Sequence, residues 1–321
     1  YPEAIDHQEQ QLAISREIGD PRGEATATGN LGIVYMKLGR NPEARDHHER
    51  ALEIFRELGD RRGEAVSTGR LGGTYSALGC YAEALERRER CLVLARDIGD
   101  RQHEAIALVN LGPVWLTLGE TDRARHVLEA SLALCRETGA RVPEGYALLG
   151  LSTVARQEGD GAAALELASQ ALALRREVDD AAGVADSLAD ISEIYAQSGE
   201  DDKARKALRE AVDLLHEQDR KAEHARALAL LACLPDGDAE AAEAALREAG
   251  ESGNTIRTRY SLWRATGKRE HLAEAMRLLD HLVEHAPEAY RESMLTNVRL
   301  HREIMEAWTE HGGGEEAQEA P

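Results

Sequence analysis

The sequence repeats itself every 40 residues, and no other feature narrows the possible folds as far. Leu31, Leu71, Leu111, Leu151 and Ile191 fill one column, and Tyr35, Tyr75, Trp115 and Tyr195 a second, interrupted by Ala155. Gly39, Gly79, Gly119, Gly159 and Gly199 form a third, and Ala44, Ala84, Ala124, Ala164 and Ala204 a fourth. In the first full copy Asp20 and Pro21 are the cap and first residue of a helix A that runs to about Leu38, where Gly39 can take the left-handed turn that ends it. Asn41 is expected to cap helix B, with Pro42 in its first turn and Gly59-Asp60 closing the unit. Gly32, Ala44 and Ala51 are small where two antiparallel helices must approach, while Leu31, Tyr35, Leu38, Leu52 and Ile54 give an apolar stripe. One hairpin cannot bury that stripe, but stacked hairpins can, so the expected fold is an all-α solenoid.

The period divides the chain. Residues 1–20 read as the helix B of a unit whose first half is missing, which suggests a piece of a longer protein, and 21–219 hold five regular units. Residues 220–286 read as two shorter, degenerate hairpins, the first broken by Pro235-Asp236-Gly237 and the second echoing the Tyr and Gly columns at Trp263 and Gly267. Pro287 should start one capping helix over 287–311, with Tyr290, Met294, Val298, Met305 and Trp308 at helical spacing, and 312–321 should be disordered.

Leu31-Gly32-x-x-Tyr35 followed by Ala44 and Ala51 resembles the tetratricopeptide signature, and Gly-Asp-x-x-Gly-Glu-Ala between units looks like the long-helix variety found in LGN-type adaptors, kinesin light chain and many bacterial signalling proteins. The likeness is strong over residues 1 to 220. It implies a right-handed α-solenoid whose helices A line a concave wall that holds a protein or peptide. The stretch from Leu279 to Leu295 more faintly resembles the ends of bacterial multidomain regulators, which implies a sensor or scaffold arm. The usual large apolar residue in mid helix B is replaced by His48 and Arg88 in the early copies.

Composition removes several functions. With 59 acidic against 39 basic residues and a formal charge of -20, the chain offers no basic footprint for nucleic acid or an anionic membrane. No apolar run approaches the ~20 residues of a membrane span, and no signal peptide opens the chain, which reads as cytoplasmic. Cys80, Cys91, Cys135 and Cys233 stand far apart without a C-x-x-C pair and read as small packing residues.

Motifs that suggest chemistry have simpler readings. His281-Leu282-Val283-Glu284-His285 fits a zinc-protease pattern as text, but it lies in a repeat helix with no further acidic ligand identifiable, so no metal and no cofactor are expected. Gly159-x-Gly161-x-x-Ala164 matches a dinucleotide fingerprint only as letters, because a helix and not a strand precedes it. No Ser-His-Asp arrangement is suggested by spacing, and no enzyme activity is expected.

The candidate site is the concave wall, made of helix A residues that face away from the core. Thr26, Val66, Ile106, Tyr146 and Asp186 form one of its columns, Asn30, Arg70, Asn110 and Asp190 another, and Ile33 and Glu193 belong to a third, with Lys37 beyond. The resemblance implies that Asn30, Arg70 and Asn110 hydrogen-bond an extended ligand, and amide and guanidinium groups suit that task. The wall changes sign from Lys37 and Arg70 to Asp186, Asp190 and Glu193, so a bound segment is expected with its acidic end toward the first repeats. Contact with an upstream domain and self-association through the helix at 3–17 are further possibilities. Pro113, inside the third helix A, predicts a kink costing ~3 kcal/mol.

Overall fold

A computed structural model describes residues 2–311, so the tail 312–321 lies outside the described residues. Helix α1 (Pro2–Glu17) is followed by five helix pairs: α2 (Pro21–Lys37) with α3 (Asn41–Glu57), α4 (Arg61–Ala77) with α5 (Tyr81–Asp97), α6 (Arg101–Thr117) with α7 (Thr121–Thr138), α8 (Arg141–Gln157) with α9 (Gly161–Glu177), and α10 (Ala181–Gln197) with α11 (Asp201–Glu217). Among the described residues there is no strand. Each helix packs on the next in sequence, and α8 also touches α6 and α10, as α4 touches α2, which makes the A helices one layer of a stack.

The local chemistry explains the regularity. Asp20, Asp60, Asp100 and Asp180 each accept the backbone N–H three residues on, at 3.0 to 3.1 Å, and so cap α2, α4, α6 and α10. At α8 the cap is Ala140, and the residue three on is Pro143, which has no N–H to offer. Asn41 is not a cap: it is the first residue of α3, preceded by Arg40, and its amide reaches the Ala77 carbonyl at 3.5 Å. Helix α6 runs through Pro113 to Thr117 without interruption, at the 17-residue length of α4 and α8.

One ladder of charges ties unit to unit. Arg16–Glu24, Arg56–Glu64, Arg96–Glu104 and Arg136–Glu144 pair at 2.8 to 3.4 Å across successive boundaries. The fifth boundary breaks the pattern. There the fully buried Arg175 donates to the Gly183 carbonyl at 2.6 Å and the Ser187 hydroxyl at 3.0 Å.

Past α11 the units shorten, through α12 (Lys221–Ala232), α13 (Ala239–Ala249), a single 3-10 turn, α14 (Ile256–Thr266) and α15 (Arg269–Glu284). The segment read as one capping helix is two, α16 (Arg291–Asn297) and α17 (Arg299–His311), separated at Val298 by an extended residue (φ -83, ψ 110). These elements do not continue the stack outward. Met294 and Ala286 enter the core of the third and fourth units beside Trp115, Leu118 and Leu151. Ser293 donates to the Leu118 carbonyl at 2.7 Å, Asn297 to the Gly119 carbonyl at 3.0 Å, and Arg123 to the Tyr290 hydroxyl at 3.0 Å. The C-terminal helices therefore lie across the concave face.

Candidate functional site

Crossing the groove in this way leaves a chamber of about 1330 Å³ between the A helices of the second to fifth units and the C-terminal cover. Its floor holds Ile106, Asn110, Pro113, Val142, Tyr146 and Leu149, and its cover holds Ile256, Leu278, Leu282 and Leu300. Ile106, Val142 and Tyr146 keep 40%, 46% and 44% of their surface exposed, although each is large and apolar. One turn of helix separates Val142 from Tyr146, so they stand on one face. The Arg175 guanidinium stacks under the Tyr146 ring at 4.4 Å and fixes it with its other side toward the chamber. Asn110 makes no side-chain hydrogen bond among the described residues, which leaves both the donor and the acceptor of its amide unpaired at the chamber floor.

The predicted wall residues divide into three groups. Ile106, Asn110, Tyr146, Asp186 and Asp190 are brought together in the chamber. Thr26, Asn30, Ile33, Lys37, Val66 and Arg70 lie outside it, on the first two units. Glu193 lines an adjoining cavity of about 620 Å³ with Arg156 and Arg257.

The acidic end of the wall is not open in the way its letters suggest. Glu193 takes Arg156 at 2.5 Å and Arg257 at 2.6 Å, the latter arriving from α14. Burial alone would raise its pKa, yet those two guanidinium groups hold it down at about 2. Arg220 and Arg226 stand 3.9 and 3.8 Å from Asp186, whose pKa burial pushes up. Burial beside Glu193 likewise raises Asp190. Glu193 is thus a docking point for the C-terminal cover, and the expected free anionic end of the wall is matched by arginines of the protein itself.

Sequence reading missed the cover entirely, and Arg257, Leu282 and Leu300 carry no local mark of their role. Val142 did carry one: its column runs Arg22, Arg62, Gln102, Val142, Ala182, and the change from polar to apolar occurs where the chamber lies. The His281 and His285 rings lie 4.1 Å apart, with the His285 Nδ1 2.8 Å from the His281 carbonyl oxygen. Among the described residues no cluster of three His, Cys, Asp or Glu is placed to hold a metal, and no helix is long and apolar enough to cross a membrane.

Known proteins share this architecture. No curated protein matches the sequence. Among solved structures, a Rap protein complexed with Competence and Sporulation Factor is similar with a TM-score of 0.64 at 16% identity, over 90% of this chain and 77% of the other. NprR in complex with its cognate peptide NprX is similar at 0.63 and 14% identity, over 96% and 84%; the apo form is from B. thuringiensis. A Signal Transduction ATPase with Numerous Domains from Pyrococcus horikoshii, with a tetratricopeptide repeat sensor, is similar at 0.51 and 18% identity, over 86% of this chain and 39% of that one. These likenesses show the fold, a right-handed α-solenoid. The tetratricopeptide repeat family matches residues 1–57, 24–79, 63–137 and 145–217, more than half of the chain, and the chain belongs to that family.

Proposed function

We propose that the chain is a non-catalytic interaction module that takes a peptide or protein segment into the chamber, and that it serves as the sensor or scaffold arm of a larger regulator. The observation that carries this is the chamber itself. It exceeds the ~300–1,000 Å³ of ordinary small-molecule pockets, and its floor presents exposed Ile106, Val142 and Tyr146 beside the unpaired Asn110. Apolar surface of that kind on an inner wall gains by being covered. A free amide at the same place can pair with an extended backbone, which fixes the segment's register independently of its side chains. The similar NprR fold was solved with its cognate peptide, and the similar archaeal ATPase carries its tetratricopeptide repeats as a sensor; both support the reading.

The test is a random octapeptide array probed with the intact chain, followed by calorimetry of the best binder. Asn110→Ala or Tyr146→Ala should weaken that binder at least tenfold with unchanged far-UV circular dichroism. Binding that ignores both substitutions would move the site out of the chamber.

A further inference from the structure

Among the polar residues that line the chamber, His301 is the one almost fully enclosed, with 5% of its surface exposed. It stands in the first turn of α17, and its Nδ1 lies 2.9 Å from the Met294 carbonyl oxygen. A carbonyl oxygen can only accept, so the proton of that bond sits on Nδ1, and in the neutral ring Nε2 is left as an acceptor. The ring is neutral at neutral pH: burial lowers its pKa and the charge of Arg257 lowers it further, against the Met294 bond, which favours the charged form. Met294 lies seven residues back, two turns away along an unbroken helix and out of an imidazole's reach. The bond therefore depends on the break at Val298.

Nothing among the described residues uses this acceptor. Nε2 makes no hydrogen bond there, and unlike the Nε2 of His48 it is not sealed from solvent. With so little of the residue exposed and the chamber beside it, the opening of Nε2 is onto the chamber. Its chemistry sorts what can sit there. A carboxylate has no proton to give, and an ammonium group meets the same Arg257 charge that opposes a proton on the ring. A hydrocarbon takes water from Nε2 and returns no bond, which leaves a desolvated acceptor unpaired. A carboxamide brings a carbonyl that needs a donor of its own. A neutral hydroxyl meets the demand. Val298 and Leu300 beside His301, Ile256, Leu278 and Leu282 of the cover, and Val142 and Leu149 of the floor ask for an apolar body behind that hydroxyl. A phenol combines the two.

We propose that His301 is a specificity-determining residue of the chamber, its Nε2 accepting the hydrogen bond of a neutral hydroxyl on an apolar body, such as a tyrosine side chain of a bound segment. The proposal rests on the chamber being the binding site, and it places part of the recognition on the cover, outside the repeat columns. The acceptor is held by the segment that seats the cover: Met294 packs in the core of the third unit, and Ser293 and Asn297 bond to its helix-end carbonyls. A ligand that engages Nε2 thus reads whether the cover is in place.

The probes are p-cresol, which is the tyrosine side chain as a free molecule, and 4-methylanisole, in which a methyl group replaces the donated proton. Each is titrated into the intact chain and followed by NMR. p-Cresol should bind about fivefold or more tightly than 4-methylanisole. It should also move the nitrogen-15 resonance of His301 Nε2, which in the free chain should be that of an unprotonated ring nitrogen. His301→Asn keeps a donor for the Met294 carbonyl and removes the acceptor, so the preference should fall to within about twofold with far-UV circular dichroism unchanged. His301→Gln puts an amide oxygen near the place of Nε2 and should keep most of the preference. A protonated Nε2 in the free chain, equal binding of the two probes, or a preference that survives His301→Asn would overturn the proposal. The octapeptide chosen on the array reads the chamber separately: its loss with Tyr146→Ala tests the chamber, whereas the ratio of the two probes tests the acceptor with no peptide present.

Discussion

The first two units and the third to fifth are built from the same columns and nearly the same helix lengths, yet their inner walls have different fates. On the early wall the Asn30 and Arg70 side chains make no hydrogen bond or ion pair among the described residues. On the late wall Asp186 and Glu193 meet Arg156, Arg220, Arg226 and Arg257, two of which come from α12 and α14 and one from the turn before α12. A column tells which face a residue occupies. Whether the residue is available is decided by the segments that do not repeat.

The largest test of this contrast uses two glycines of one column. Gly79 and Gly119 both end an A helix at positive φ, 76° and 75°, where a side chain costs roughly 1–2 kcal/mol. A Cβ on Gly79 meets nothing within 4 Å, whereas one on Gly119 would stand 2.2 Å from the Ser293 carbonyl oxygen. Gly119→Ala should therefore cost ~3 kcal/mol or more in urea unfolding and strip hydrogen-exchange protection from residues 293–301. Gly79→Ala should cost only the backbone part and leave that segment protected; equal effects would mean the cover is not seated on the third unit.

A smaller effect is expected at Glu193. Glu193→Gln leaves Arg156 and Arg257 without their carboxylate, and with these three side chains 13%, 14% and 33% exposed the cost should be about 2 kcal/mol, below the 3–5 of a fully buried pair. Because the folded pKa of about 2 lies under the ordinary carboxylate value, the contribution is fully present above pH ~4.5 and fades as pH falls toward 2. The stability gap between wild type and Glu193→Gln should close over that window, and a gap independent of pH would show that packing and not charge holds α14.

The smallest effect compares two helix starts. Asp20→Ala should cost ~1 kcal/mol through the lost cap on Gly23. The reverse change, Ala140→Asp, should gain almost nothing, because Pro143 gives the new carboxylate no N–H three residues on. A gain near ~1 kcal/mol would show that the Val142 N–H or the helix dipole supplies the capping benefit without an N–H three residues on.

The stack was legible because each of its signals is local. The aspartate caps, the glycines at helix ends and the small residues between paired helices sit at fixed short offsets, and copies in register reinforce one another. The cover was not, because its contacts join residues about 170 positions apart: Tyr290 with Arg123, Ser293 with Leu118, Asn297 with Gly119. The break at Val298 has neither Gly nor Pro to announce it, and what accompanies it is Asn297 turning to a carbonyl of the third unit. The site was legible in the same measure. Ile106, Asn110 and Tyr146 follow from column position, while the neutralisation of Glu193 required knowing where Arg257 returns.

That return has a kinetic side. An array in which each unit touches only its neighbours can begin to fold anywhere and can fray from either end, one unit at a time. Here the third unit cannot complete its core until Met294, which follows it in the chain by about 170 residues, has come back to it. The middle of this protein should therefore fold later and more cooperatively than its front, and its slow step should be the closing of a loop of about 170 residues.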